Sequence, residues 1–148
     1  MSIAAAVAAI RSALDPIVTA TIPSQPPDQF SGDWPMLIVY PQPGVWQPHN
    51  HNGRNGGPVI RGDHEIVIEW HVPFAVPSLA DNFALATPIP DAIIAALYGG
   101  FAGGGLSNTV AGLPTVRCEA FGAIDWGTEK TFGVRMIADV QLFTDLSA

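Results

Sequence analysis

Residues that could do chemistry crowd one part of this sequence. "PHNHNGRNGG" (residues 48–57) brings His49, His51 and Arg54 together, and His64, Glu65, Glu69 and His71 follow in "DHEIVIEWHV". Imidazoles and carboxylates at this density raise the question of zinc, which needs three or four ligands converging at about 2 Å. The spacing argues against it. The second segment alternates with period two, so His64 and His71, seven residues apart, point to opposite faces of a strand. Glu65, Glu69 and His71 share a face, but neighbours there stand about 7 Å apart, which suits a polar solvent or subunit face better than a ligand cage. No H-E-x-x-H or C-x-x-C motif is present. The expectation is a chain with no catalytic residues, no metal site and no cofactor.

The other candidates have plain readings. "GGFAGGG" (99–105) follows a helical pattern and lacks the lysine of a phosphate loop, so it reads as a flexible connector. Cys118 sits in an apolar stripe with Val116 and Ala120, as a small core residue would. Asp125 and Glu129 flank a turn and read as solvated carboxylates. Trp46, in "PGVWQPH", is different, because an indole in a polar Gly/Pro stretch is costly to leave in water. Either this stretch folds back over its own domain, or Trp46 anchors a neighbouring subunit, as tryptophans at interface centres do. Val45, Trp46, His49, His51 and Arg54 are the candidate interface residues.

Several elements must position these groups. Ile3, Val7, Ile10, Leu14 and Ile17 recur at helical spacing after Ser2, a good cap, and Pro16 should end that helix near Leu14. "MLIVY" (36–40) reads as a buried strand between prolines. Residues 41–62 read as a long polar loop. Residues 63–72 read as a half-buried strand with Ile66, Ile68, Trp70 and Val72 on its apolar face. "SLAD" opens a second helical region that Pro88 and Pro90 kink. Phe83, Ile93 and Leu97 should pack with the first helix on the sheet. Two closing strands follow, one with Val116, Cys118, Ala120 and Ile124 on one side. The other carries Phe132, Val134, Met136, Val140 and Leu142, and a hairpin turn at "WGTEKT" joins the two. The fold class is α+β: one domain spanning 1–148, with a mixed, mainly antiparallel sheet. The N-terminal helix and the kinked helical region pack on one face of it.

Composition narrows the partners. A net charge of −7 with six scattered basic residues argues against a nucleic-acid-binding surface. Few charges and many apolar groups suit a protein that buries area in an assembly. A single cysteine fits a reducing compartment. Arg11 interrupts the apolar start, and no run approaches the roughly 18 apolar residues of a membrane span. The expected setting is the cytoplasm, without membrane contact.

The "WPMLIVYP" strand, the stretch leading into "HEIVIEWHV", the helix on "SLADNFALATPIPDAIIAALYGG" and the closing "GVRMIADVQLF" have an order and texture that resemble a known family. They are similar to the tail terminator proteins of long-tailed bacteriophages and the related minor tail and neck proteins of prophages and gene-transfer agents. The resemblance implies a structural virion protein in a hexameric ring that ends tail polymerisation and joins tail to head. Its partners would be the tail tube protein and a neck or head-completion protein, with genome DNA passing the channel unbound. Two alternatives stay open. One is another neck component, such as a head-completion or adaptor protein, or a tail-tube-like subunit. The other is a small metal-dependent enzyme or ligand-binding domain using the histidine-rich stretch.

Overall fold

A computed structural model describes residues 2–16, 19–24, 26–27, 33–50, 53, 56–102, 106 and 109–145. Alanine-rich helix α1 (Ile3–Leu14) begins where Ser2 Oγ accepts the amide of Ala5 at 3.1 Å, and it stops before Pro16. Strand β1 (Met36–Pro41) follows, then β2 (Val45–Asn50) and the long β3 (Val59–Pro73). Helices α2 (Leu79–Ala86) and α3 (Ile89–Ala102) come next, and β4 (Gly112–Trp126) and β5 (Glu129–Asp145) close the chain. All strand pairs are antiparallel, in the order β1-β3-β5-β4, with β2 also on β3. β1 and β2 lie end to end along one edge of β3: β1 opposes residues 66–71 and β2 opposes residues 59–63. The fold class read from the sequence is the one observed.

The core lies between the helices and one face of the sheet. Ile66, Ile68, Trp70 and Val72 of β3 and Phe132, Val134, Met136, Val140 and Leu142 of β5 pack there against Ile10, Leu14, Ile93 and Leu97. These are the stripes that the periodicity predicted. Close approach of α1 to α3 depends on Gly100, where an added Cβ would stand 3.2 Å from that of Ala13. Gly99 and Gly100 therefore belong to α3 and not to a connector, while residues 103–105 and Ile17 lie outside the described residues.

Other expectations are corrected. The stretch 41–62 is not one loop, since β2 and the first residues of β3 form a ladder within it. Phe83 is 48% exposed, not a core residue. Cys118 is exposed as well. The register shifts between Cys118 and Ala120, opposite Met136 and Arg135, so Ala120 and Ile124 turn to the face opposite Val116. Glu69 and His71, expected on a solvated or subunit face, are wholly buried. Within α2 and α3, the span Leu79–Phe101 is 23 residues long and contains an 18-residue window of mean hydropathy 1.3, a length and apolarity that could cross a bilayer. Helices packed on a core meet the same criterion, and Ala86, Ile93, Ala96 and Leu97 are packed on one here.

Candidate interface on the hairpin of β2 and β3

Val45, Trp46 and His49 lie on β2, while His51 and Arg54 fall outside the described residues. β2 is an edge strand, and Pro48 fits that position because it has no amide to donate. Trp46 pairs with Gly62 and lies over it: a Cβ at 62 would stand 2.7 Å from the indole Cζ3. The ring meets His64 edge-on, with centroids 4.4 Å apart. The first reading of Trp46, that this stretch folds back over its own domain, holds in part. Its own domain supports one side of the ring, yet 50% of the residue stays exposed, and the adjacent Val45 is 63% exposed. Gln47 Nε2 donates to Asp63 at 3.1 Å, and Arg61 pairs with the same carboxylate. His49 sets its ring 4.8 Å from that of Phe143.

His64 is the unusual group beneath this corner. It is 3% exposed, on the same face as the core, and among the described residues neither ring nitrogen has a hydrogen-bond partner. A Cβ at Gly44 would overlap its Nδ1, so glycine is required for the chain to pass over the ring. Burial lowers the His64 pKa from its usual value, against a smaller upward pull from Asp63.

His71 is buried on the other face, in a polar network that sequence reasoning missed. Thr131 Oγ1 donates to the Ile124 carbonyl at 2.9 Å, so it accepts from His71 Nδ1, 2.6 Å away. His71 Nε2 stands 3.1 Å from Glu69 Oε1, although off the direction of a good hydrogen bond. Tyr40 donates its hydroxyl to Glu69 Oε2, and Arg135 Nε lies 3.4 Å from that oxygen. Burial, the largest influence on Glu69, pushes its carboxyl up; the contacts from His71 and Tyr40 and the charge of Arg135 outweigh it, and the net shift is downward. Burial and then the bond to Glu69 push the Tyr40 phenol well up, which keeps it a donor. An open cleft of about 320 Å³ beside the network is lined by Tyr40, Gln42, Glu65, Glu119 and Arg135. Glu69 and His71 have no exposed surface and face each other.

β3 runs in unbroken register against β5, so His64 and His71 do lie on opposite faces, roughly 23 Å apart at ~3.3 Å per residue. Among the described residues no three His, Cys, Asp or Glu side chains converge as metal ligands. One further surface escaped sequence reasoning. Phe83 of α2 stacks near Phe121 of β4, with centroids 5.9 Å apart, and both touch buried Phe132. Phe121 is 40% exposed, and Leu79 and Val76 beside α2 are exposed too. No protein-family model matches the chain, and no curated protein does.

Proposed function

We propose that this chain is a structural virion protein, a ring subunit of the tail terminator type that ends tail polymerisation and joins the tail to the head. One observation carries the reading: the corner at Val45 and Trp46, an edge strand with an indole only half covered by its own domain. An exposed apolar edge invites a partner, and a subunit that lives in an assembly has one. The α+β architecture agrees with what the resemblance implies, and the acidic balance suits a channel that passes DNA without gripping it. In this reading the neighbours are the tail tube protein and a neck or head-completion protein. The site of action is the virion, after assembly in the host cytoplasm, and no catalysis is involved.

The test is electron microscopy of the purified protein, alone and with tail tubes. Six-fold rings that cap tubes are expected. A ring of another symmetry points to a different neck component, and a protein that forms no ring and caps no tube overturns the reading. Deleting residues 49–56 should leave the domain folded and weaken ring formation or tail–neck joining. Wild-type yields of infectious particles from that deletion would make the hairpin tip a mere connector.

A further inference from the structure

His64 is more than nine-tenths buried, yet among the described residues neither ring nitrogen has a partner. A buried polar group in that state asks for an explanation, and its surroundings supply one. An added Cβ would stand 1.7 Å from Nδ1 at Gly44 and 2.5 Å from Nε2 at Gly62. Each nitrogen therefore faces a glycine methylene, a feeble partner that also leaves no space for water. The Trp46 ring stands edge-on with centroids 4.4 Å apart, and Val140 and Leu142 of β5 oppose His64 and Gly62. The site holds a neutral ring at the cost of two unmade bonds. An imidazolium there would carry two donors and a charge, and none of these side chains offers an acceptor.

One wall of the site is free to move. β5 holds β3 along residues 59–73 in unbroken register, so the floor is fixed. The lid, Gly44 with Trp46, belongs to β2 and the turn before it. β2 is six residues long and, among the described residues, pairs with β3 alone. Its ladder is weak, because Pro48 has no amide to give and the register slips between Pro48 and Asn50. Trp46 is already half exposed, so lifting it uncovers less apolar surface than lifting a core residue.

We propose that His64 is a proton-operated latch: neutral, it lies closed beneath Gly44 and Trp46, and protonated, it makes β2 lift from β3 so that water reaches the ring. The latch does not rest on the ring reading above. It adds that the corner at Val45 and Trp46 changes shape in weak acid.

The charges around the ring agree with this. Asp63 and Glu65 flank His64 on β3 and Asp139 lies on β5, and all three point to the opposite face. Arg117 holds Glu65 and Asp139 at 3.0 and 3.3 Å, and Arg61 holds Asp63 at 3.1 Å. The titratable group of β2 is His49, whose ring lies against Phe143 on that opposite face too. None of these side chains shares the face of the closed lid. Lifting β2 takes Gln47 from Asp63, to which it donates at 3.1 Å, so the carboxylate that pulls on His64 gains a free oxygen as the ring gains a charge. Lifting also breaks the β2 ladder. The folded chain therefore takes up the proton later than the unfolded chain, in line with the lowered pKa of His64.

Hydrogen exchange of the wild type at pH 8 and pH 5, corrected for intrinsic rates and repeated with small additions of urea, separates a lifting hairpin from unfolding of the whole. In residues 45–50 protection should fall about tenfold for each pH unit below about 6.5, until the folded pKa is reached. That exchange should be indifferent to urea, as an opening that exposes little surface is. Amides of β1, opposite residues 66–71, should stay dependent on urea at both pH values. His64→Leu should keep residues 45–50 closed at pH 5. Gly44→Ala, whose methyl overlaps Nδ1, should open them already at pH 8, and it probes the lid from the other side should His64→Leu fold poorly. Equal hairpin protection at both pH values overturns the latch. So does a loss that β1 shares with the same urea dependence, and so does a loss that persists in His64→Leu.

Discussion

The two faces of the sheet bury themselves by different means. On the helix side of β3, Ile66, Ile68, Trp70 and Val72 meet apolar side chains from α1 and α3. On the other side Val67, Glu69 and His71 are equally hidden, yet no helix covers them. Their cover is made of Met36 and Ile38 with Trp34, Tyr40 and Trp126, and the Trp126 indole donates to the Pro27 carbonyl at 2.7 Å. The first face is held by area, which tolerates substitutions of similar shape. The second is held by charges that have surrendered their water, and it fails if one partner is lost.

The largest effect should come from breaking that second face. Glu69→Ala leaves His71, Tyr40 and Arg135 facing an uncompensated hole, and should cost about 3–5 kcal/mol in chemical denaturation. Glu69→Gln keeps the shape and loses the charge, so it should cost less. Equal losses would mean that Glu69 acts through packing alone. On the helix face Ile10→Ala should cost about 2–5 kcal/mol, by lost transfer energy and a residual cavity. An unchanged melting temperature would show that α1 is dispensable to the core.

This contrast also explains what the sequence could reveal. Alternation tells which residues share a face and says nothing of whether that face is covered. The apolar stripes of β3 and β5 were therefore legible, while burial of Glu69 and His71 was not, because their neighbours Tyr40, Trp126 and Thr131 come from strands far away in sequence. The β4 stripe was read correctly only up to Cys118. One unopposed residue, Glu119, moved Phe121 and Ala123 onto the helix side, and no local signal marks such a bulge. β2 hid among glycines, prolines and asparagines, and only its partner makes it a strand: Trp46 needs Gly62 opposite. Of the candidate interface, Val45 and Trp46 stood out because an indole in polar company is conspicuous. The exposed pair Phe83 and Phe121 did not, since Phe83 has the spacing of a core residue yet stays half exposed beside Phe121.

A smaller effect is expected where β3 turns into the helix layer. Asn82 is fully buried; its Oδ1 accepts the Ala75 amide at 2.7 Å, and its Nδ2 donates to the Val76 carbonyl at 3.3 Å. Ala75 sits at φ 56°, a left-handed conformation that needs outside support. Asn82→Ala should cost about 1–3 kcal/mol, because it takes the acceptor from the part-buried Ala75 amide and removes a fully buried side chain. Asn82→Asp keeps the acceptor for Ala75, so it should recover part of the loss if that bond dominates. Recovery of nothing would shift the weight to the bond with Val76.

The smallest effect separates the two histidines of β3. His71 has Thr131 and Glu69 as partners, whereas His64 is buried among Gly44, Gly62 and Trp46, with neither nitrogen bonded among the described residues. Because the folded-state pKa of His64 is lowered, the unfolded chain takes up the proton first as pH falls below about 6.5. Stability from this group is thus fully present above that value and is lost as pH falls toward the folded pKa. The carboxyl of Glu69, also lowered, begins to lose its contribution only as pH falls below the ordinary carboxylate range, so its window opens at lower pH than that of His64. His64→Leu removes the titration and keeps the ring's site apolar. Its stability should match or exceed wild type at pH 8, and the difference should widen in its favour between roughly pH 6.5 and 5. The other histidines are common to both proteins and cancel in the comparison. Parallel stability curves across that range would mean that His64 reaches solvent when charged, and that the hairpin above it lifts freely.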